Sequence, residues 1–258
     1  MSSISVSSIG RVTEVYPRSD RAGMPLGLRV DRQVIALRMG APEAGPDLEH
    51  QARGVFGAMR ELLERAGGGL ENIAKATAYV ATVEEREPVN GRWWEEAFPD
   101  PGDKPAYKVL VAPLPAGRRV ELDVLALLGQ TRRRIDVPGV PARDPTVEIG
   151  GMVFTSRVHG TVPFTGDQVA GGGVKGQAMQ AFRNVLELIA LAGGGPGDIV
   201  QLKSFGRDPG YADSVRRALA GMFPDEATRP PLVTLTNFIP AKFEVMVEMT
   251  AAIGENDS

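Results

Sequence analysis

Near the middle of the chain, the run Val120-Glu121-Leu122-Asp123-Val124 sets two carboxylates two residues apart among three aliphatic side chains. In a strand this spacing puts Glu121 and Asp123 on one face and the aliphatic residues on the other. Two acids on a shared face are either a solvated sheet surface or a pair able to orient and deprotonate water. Alternation alone leaves both readings open. Arg38, in Ala36-Leu37-Arg38, and Arg157, in Thr155-Ser156-Arg157, close strand-like runs in the two halves. A guanidinium is the side chain that best matches a carboxylate in fork geometry. His159 follows two residues after Arg157, and His50 stands at the start of a helical stretch. Lys104, Lys108 and Arg229 add cations, most simply as surface charges. Two histidines and no cysteine leave metal clusters to carboxylates, and no spacing suggests one; no cofactor or metal is expected. No Gly-x-Ser-x-Gly or other nucleophile motif occurs.

The elements that must position these residues repeat. Residues 51–73 read QARGVFGAMRELLERAGGGLENI and residues 177–199 read QAMQAFRNVLELIALAGGGPGDI. At a constant offset of 126 residues Gln, Ala, Phe, Glu, Leu, Ala, three Gly and Ile coincide, which marks a duplicated unit. Apolar residues recur at helical spacing in both windows: Ala52, Val55, Phe56, Met59, Leu62, Leu63 and Ala66, then Ala178, Ala181, Phe182, Val185, Leu188, Ile189 and Ala192. Each helix ends in a glycine triplet suited to a left-handed cap. A phosphate loop would precede its helix, so the triplets do not read as one. Strands are predicted over 33–38, 73–83, 107–114 and 119–128, and again over 152–157, 199–205, 232–238 and 243–253, with shorter helices over 86–98 and 211–223. Each copy is thus β-β-α-β-α-β-β, an α/β (α+β) unit with one mixed sheet and two helices on one face. The boundaries are 1–130 and 144–258, with a linker at 131–143. The basic run TRRRI near this join reads as solvated linker.

Composition narrows the function classes. The 258 residues carry a net charge of −3, 43% apolar and 24% charged residues, as in a soluble globular protein with a substantial core. An acidic chain lacks the basic surface that nucleic acid or an anionic membrane demands. Absence of cysteine excludes disulfides, thiolate zinc sites and a cysteine nucleophile. The opening MSSISVSSIG has no signal-peptide pattern, and no apolar stretch reaches spanning length, so a cytoplasmic location is expected.

The ordered set of Gln51-Ala52, Ala66-Gly67, Asn90 in PVNGRWWEEAF, Pro105-Ala106, Leu114-Pro115 and Val120-Glu121-Leu122-Asp123 resembles the RidA/YjgF family, also called endoribonuclease L-PSP. The second copy adds Phe154-Thr155-Ser156, Gln177-Ala178, Asn184, Ala192-Gly193 and Asp198-Ile199. The resemblance implies a small-molecule cleft between adjacent domains and cofactor-free hydrolysis of imines or enamines such as 2-aminoacrylate. It implies that Glu121 handles water or a proton, aided by Tyr107 and Asn90. It also implies a homotrimer; a chorismatase-like monomer, whose fused domains imitate part of a trimer, is the alternative. The chain departs from the family where a Pro-Ala-Arg motif clamps the substrate carboxylate. Tyr107 follows Pro105-Ala106, Leu232 follows Pro230-Pro231, and Met246 stands opposite Glu121 when the two copies are aligned on Pro115 and Pro240. Simple 2-imino acids are therefore expected to turn over slowly. Arg38 and Arg157 occupy the end of the strand where the family has a glycine, and Gly40, two residues after Arg38, is counted among the substrate-binding candidates. Arg157 beside His159, then Arg38 and Lys108, are the candidates for a relocated anion site. A non-catalytic metabolite-binding or scaffold protein is the alternative function. A ribonuclease fits least, since no histidine pair or basic groove is present.

Overall fold

The computed structural model describes residues 12–16, 26–140 and 145–254. The opening MSSISVSSIG and residues 141–144 of the join lie outside the described residues. The first copy runs β1 (Val12–Tyr16), β2 (Gly27–Val30), β3 (Gln33–Met39), α1 (Leu48–Arg65), β4 (Ile73–Val80), α2 (Arg86–Pro88), a π-helical turn (Val89–Trp93), α3 (Trp94–Ala97), β5 (Ala106–Val111) and β6 (Val120–Leu127). The second runs β7 (Arg133–Ile135), β8 (Thr146–Ile149), β9 (Met152–Thr155), β10 (Val158–His159), α4 (Gly173–Leu191), β11 (Ile199–Gly206), α5 (Tyr211–Met222), β12 (Leu232–Thr236) and β13 (Met246–Ala252). The sheet orders are β1-β2-β3-β6-β4-β5 and β12-β11-β13-β9-β8-β7, with β10 beside β13. In each sheet one neighbouring pair is parallel, β4 with β5 and β11 with β12. This is the tandem α/β architecture expected from the repeat, with extra edge strands at the start of each copy.

The duplicated helices fold for the same reasons. Asp47 caps α1 by accepting from the His50 backbone N–H, satisfying a donor the first turn leaves free. At the other end Gly67 and Gly193 adopt φ of +83° and +94°. Gly68 N–H then reaches Leu63 O and Gly194 N–H reaches Ile189 O, both at 2.9 Å, closing the Schellman motif that the glycine triplets announce. The apolar stripes of α1 and α4 pack into two cores, one per copy. The buried glutamines are stitches rather than ligands. Gln51 Oε1 accepts from Arg119 N and Gln177 Oε1 from Glu244 N, each at 2.8 Å. Each tethers its helix to the loop before the last strand.

The join departs from a solvated linker. Residues 133–135 form β7, an edge strand on β8. Arg132 is buried, its Nη1 donating to Ile73 O at 3.2 Å and its Nη2 pairing with Asp103 at 2.8 Å. The guanidinium therefore staples the second copy's first strand to the first copy. The two sheets then meet through the faces opposite their helices. Ala74, Ala106, Val147, Ile149 and Phe154 form a small shared core, and Leu110 joins Phe205, Ile239, Phe243 and Met246.

Candidate active site between the two copies

Strand β5 ends the first sheet, so one of its edges would expose unpaired backbone groups. The second copy covers that edge with side chains. Tyr107 N–H donates to Ser156 Oγ at 2.8 Å, Arg157 Nη2 donates to Val109 O at 3.3 Å, and Asn237 Nδ2 donates to Val111 O at 2.9 Å. Arg157 Nη1 also reaches Phe238 O at 3.1 Å, and its guanidinium sits 4.8 Å from the Phe205 ring centre. Only 6% of Arg157 is exposed. It works first as a clasp between the copies.

That contact leaves a cleft of about 300 Å³ lined by Arg86, Glu87, Asn90, Tyr107, Lys108, Val109, Arg157, His159, Pro240, Phe243 and Met246. The structure thus brings together Asn90, Tyr107 and Lys108 from the first copy with Arg157 and His159 from the second. Asn90 lies on the π-helical turn, an insertion that often marks a functional site. The Tyr107 ring is stacked on Trp94 at 3.5 Å and 5°. Its hydroxyl is buried with no hydrogen-bond partner among the described residues. Burial pushes the phenol well above its ordinary range, so it remains a protonated donor. His159 stacks on Phe243 at 4.1 Å. Its strand end is fixed by Asn184, which donates to the carbonyls of His159 and Thr161 at 2.9 Å each. Gly160 has no room for a Cβ, which would meet Gln177 O at 2.5 Å.

Arg86 is the cleft residue that sequence reasoning missed. It opens α2, its guanidinium lies 4.4 Å over the Phe238 ring of the second copy, and its buried Nε has no hydrogen-bond partner among the described residues. Burial, only partly offset by Glu87, lowers its pKa. No local motif flags it, because its partner ring lies more than a hundred residues away in the chain.

The structure keeps Glu121 away from this cleft. Its carboxylate is fully buried and pairs with Arg118 at 2.8 Å and with Arg38. Gly40 belongs to the same corner, where a Cβ would meet Arg118 Nη1 at 2.4 Å. Arg38 sits at a break in the β3–β6 register with a left-handed φ of 54°. This conformation favours glycine. Here Asp123 Oδ1 compensates by accepting from Arg38 N–H at 2.7 Å. Asp123 Oδ2 accepts from Tyr79 at 2.6 Å. Arg38 and Arg157, equivalent by position in the repeat, thus serve two separate corners. Met246 takes the place in the cleft that the alignment pairs with Glu121. Lys104 pairs with Glu95, Arg229 donates to Phe223 O, and His50 pairs with Asp47, so these three do other work. Lys108 lines the cleft but spends its ammonium on Glu248, with Nζ–Oε2 2.6 Å; Lys75 joins from the same face at 3.0 Å. Burial pushes the Glu248 carboxyl up, yet the two ammonium groups together hold it down at about 2. Among the described residues no cluster of metal-ligating side chains forms, and no helix is long and apolar enough to cross a membrane.

A family model and one solved structure agree with this architecture. The family model described as Endoribonuclease L-PSP matches twice, over residues 35–128 and 143–253. A crystal structure of a chorismatase superimposes with a TM-score of 0.64 at 21% identity, covering 90% of this chain and 78% of that one. The YjgF gene product of E. coli matches with a TM-score of 0.40 at 25% identity, over 45% of this chain and 92% of its own. E. coli TdcF with bound serine matches with a TM-score of 0.38 at 25% identity, over 42% of this chain and 84% of its own. No curated protein matches in sequence.

Proposed function

Because the chain belongs to the endoribonuclease L-PSP family in two tandem copies, we propose that it acts on a small carboxylate-bearing imine, enamine or carbonyl metabolite in the cleft between them. The observation that carries this reading is the pair of buried donors in one cleft, Tyr107 hydroxyl and Arg86 Nε, which have no hydrogen-bond partner among the described residues. A buried polar group without a partner costs about 1–3 kcal/mol, and a ligand acceptor would relieve both. Arg86 supplies the fork for a carboxylate, in place of the arginine missing after Pro105-Ala106. Arg157 adds fixed positive charge. Phe243, Pro240, Met246 and Val109 supply an apolar wall for the body of the ligand.

In this reading water adds to the carbon of the C=N bond, the C–N bond then breaks, and ammonia leaves as the carbonyl forms. Tyr107, held protonated by burial, donates to the imine nitrogen. His159 relays protons between the adding water and the leaving nitrogen, so the protein ends the cycle unchanged. A second reading, binding without turnover, is favoured by one feature: Met246 stands where a water-handling carboxylate is expected. Calorimetric titration with a stable 2-keto acid, the product class, tests the shared premise. Arg86→Met should weaken binding about 10- to 100-fold; equal affinity in wild type and variant would refute the assignment of Arg86.

A further inference from the structure

A second cavity, of about 440 Å³, lies on the far side of β5 between the two sheets. Its walls are largely apolar and include Leu37, Leu110, Phe205 and Leu235, while Lys75, Lys108 and Lys203 reach it from both copies. Leu37 is 59% exposed at its rim. Two carboxylates face these three ammonium groups, and both are engaged. Glu248 holds Lys75 and Lys108. Asp123 accepts from Tyr79 and from Arg38 N–H. Lys203 lies directly across the strand pair from Glu248 yet makes no ion pair among the described residues. Burial, followed by the neighbouring Lys75, lowers the Lys108 ammonium below its usual range despite Glu248, with Lys203 adding to the effect. The trough therefore carries an excess of positive charge beside an apolar surface.

We propose that this trough is a second ligand site, for an organic anion with an apolar body, its carboxylate or sulfonate paired to Lys203. A purely apolar cover would bury that ammonium without a partner, which is strongly unfavourable; an amphipathic anion satisfies the charge and the apolar walls together. The site is distinct from the Arg86–Tyr107 cleft and does not rest on the activity assigned there.

The test is a fluorescence titration of the full chain with 8-anilinonaphthalene-1-sulfonate. Saturable binding to one site is expected, weakened at least tenfold in Lys203→Met, restored in Lys203→Arg and unchanged in Arg86→Met. Lys203 is only half-buried, so the variants should fold; an unaltered melting temperature checks this. Equal affinity in Lys203→Met and wild type would overturn the proposal by reducing the trough to apolar adhesion. Loss of the probe in Arg86→Met alone would overturn it by moving the probe to the cleft. Self-association that competes with the probe would also overturn it, because the trough would then belong to a second copy of the chain.

Discussion

Lys108 of the first copy and Glu248 of the second form a buried ion pair across the joint between the sheets, with Nζ–Oε2 2.6 Å. The relationship ties assembly of the cleft to ionisation, because Lys108 sits next in sequence to Tyr107. Glu248 is held at about 2 in the folded chain against an ordinary 4.5. A depressed carboxyl contributes stability that is present above its unfolded pKa and lost as pH falls through its folded pKa. Stability should therefore decline between pH 4.5 and about 2, by ~3 kcal/mol from this group. Glu248→Gln should cost about 3–5 kcal/mol at pH 7, since it leaves ammonium groups buried without their carboxylate. Urea unfolding of both proteins at pH 7 and pH 3 checks the sign: the difference between them should shrink at pH 3.

Tyr107→Phe keeps the ring on Trp94 and deletes a hydroxyl that has no hydrogen-bond partner among the described residues. Thermal stability is expected to stay equal or rise by up to about 1 kcal/mol. Turnover should fall at least tenfold. A clear loss of stability would mean that the hydroxyl makes a structural hydrogen bond.

Glu121→Gln separates the corner of Arg38 and Arg118 from the cleft. Replacing a buried carboxylate shared by two guanidiniums should destabilise the first copy by about 3 kcal/mol. At a temperature where the variant stays folded, kcat should remain within twofold of wild type. Abolished turnover in a folded variant would instead make Glu121 the water-handling residue that the family resemblance implies.

Both walls of the cleft come from one chain. The chain is accordingly expected to be active as a monomer, with a light-scattering mass near 27.5 kDa and specific activity independent of dilution. A stable mass three times larger, with activity lost on dilution, would favour the homotrimer.

Much of this was legible in the sequence. The glycine triplets gave the Schellman caps, and the alternation in 120–124 correctly turned Glu121 and Asp123 away from the helices. Asn90, Tyr107, Arg157 and His159 were singled out and do meet. What periodicity lacks is the pairing of one copy's half-site with the other's. The family resemblance grouped Glu121 with Tyr107, whereas β6 and β5 send them to different corners. Arg86 was invisible because its environment is made by Phe238 of the other copy. Arg132 read as linker charge because the carbonyls it satisfies, Leu70 and Ile73, lie some sixty residues upstream.

Activity in the cleft is tested by release of ammonia from 2-imino acids generated in situ by an amino-acid oxidase acting on alanine, leucine and phenylalanine. The wild-type chain should accelerate release over buffer for at least one of the three, most slowly for the alanine product. Arg86→Met and Tyr107→Phe should each remove at least nine-tenths of that acceleration. Acceleration that survives in both variants would contradict the claim that the cleft between the copies is the active site, and no acceleration for any of the three would contradict imine hydrolysis itself.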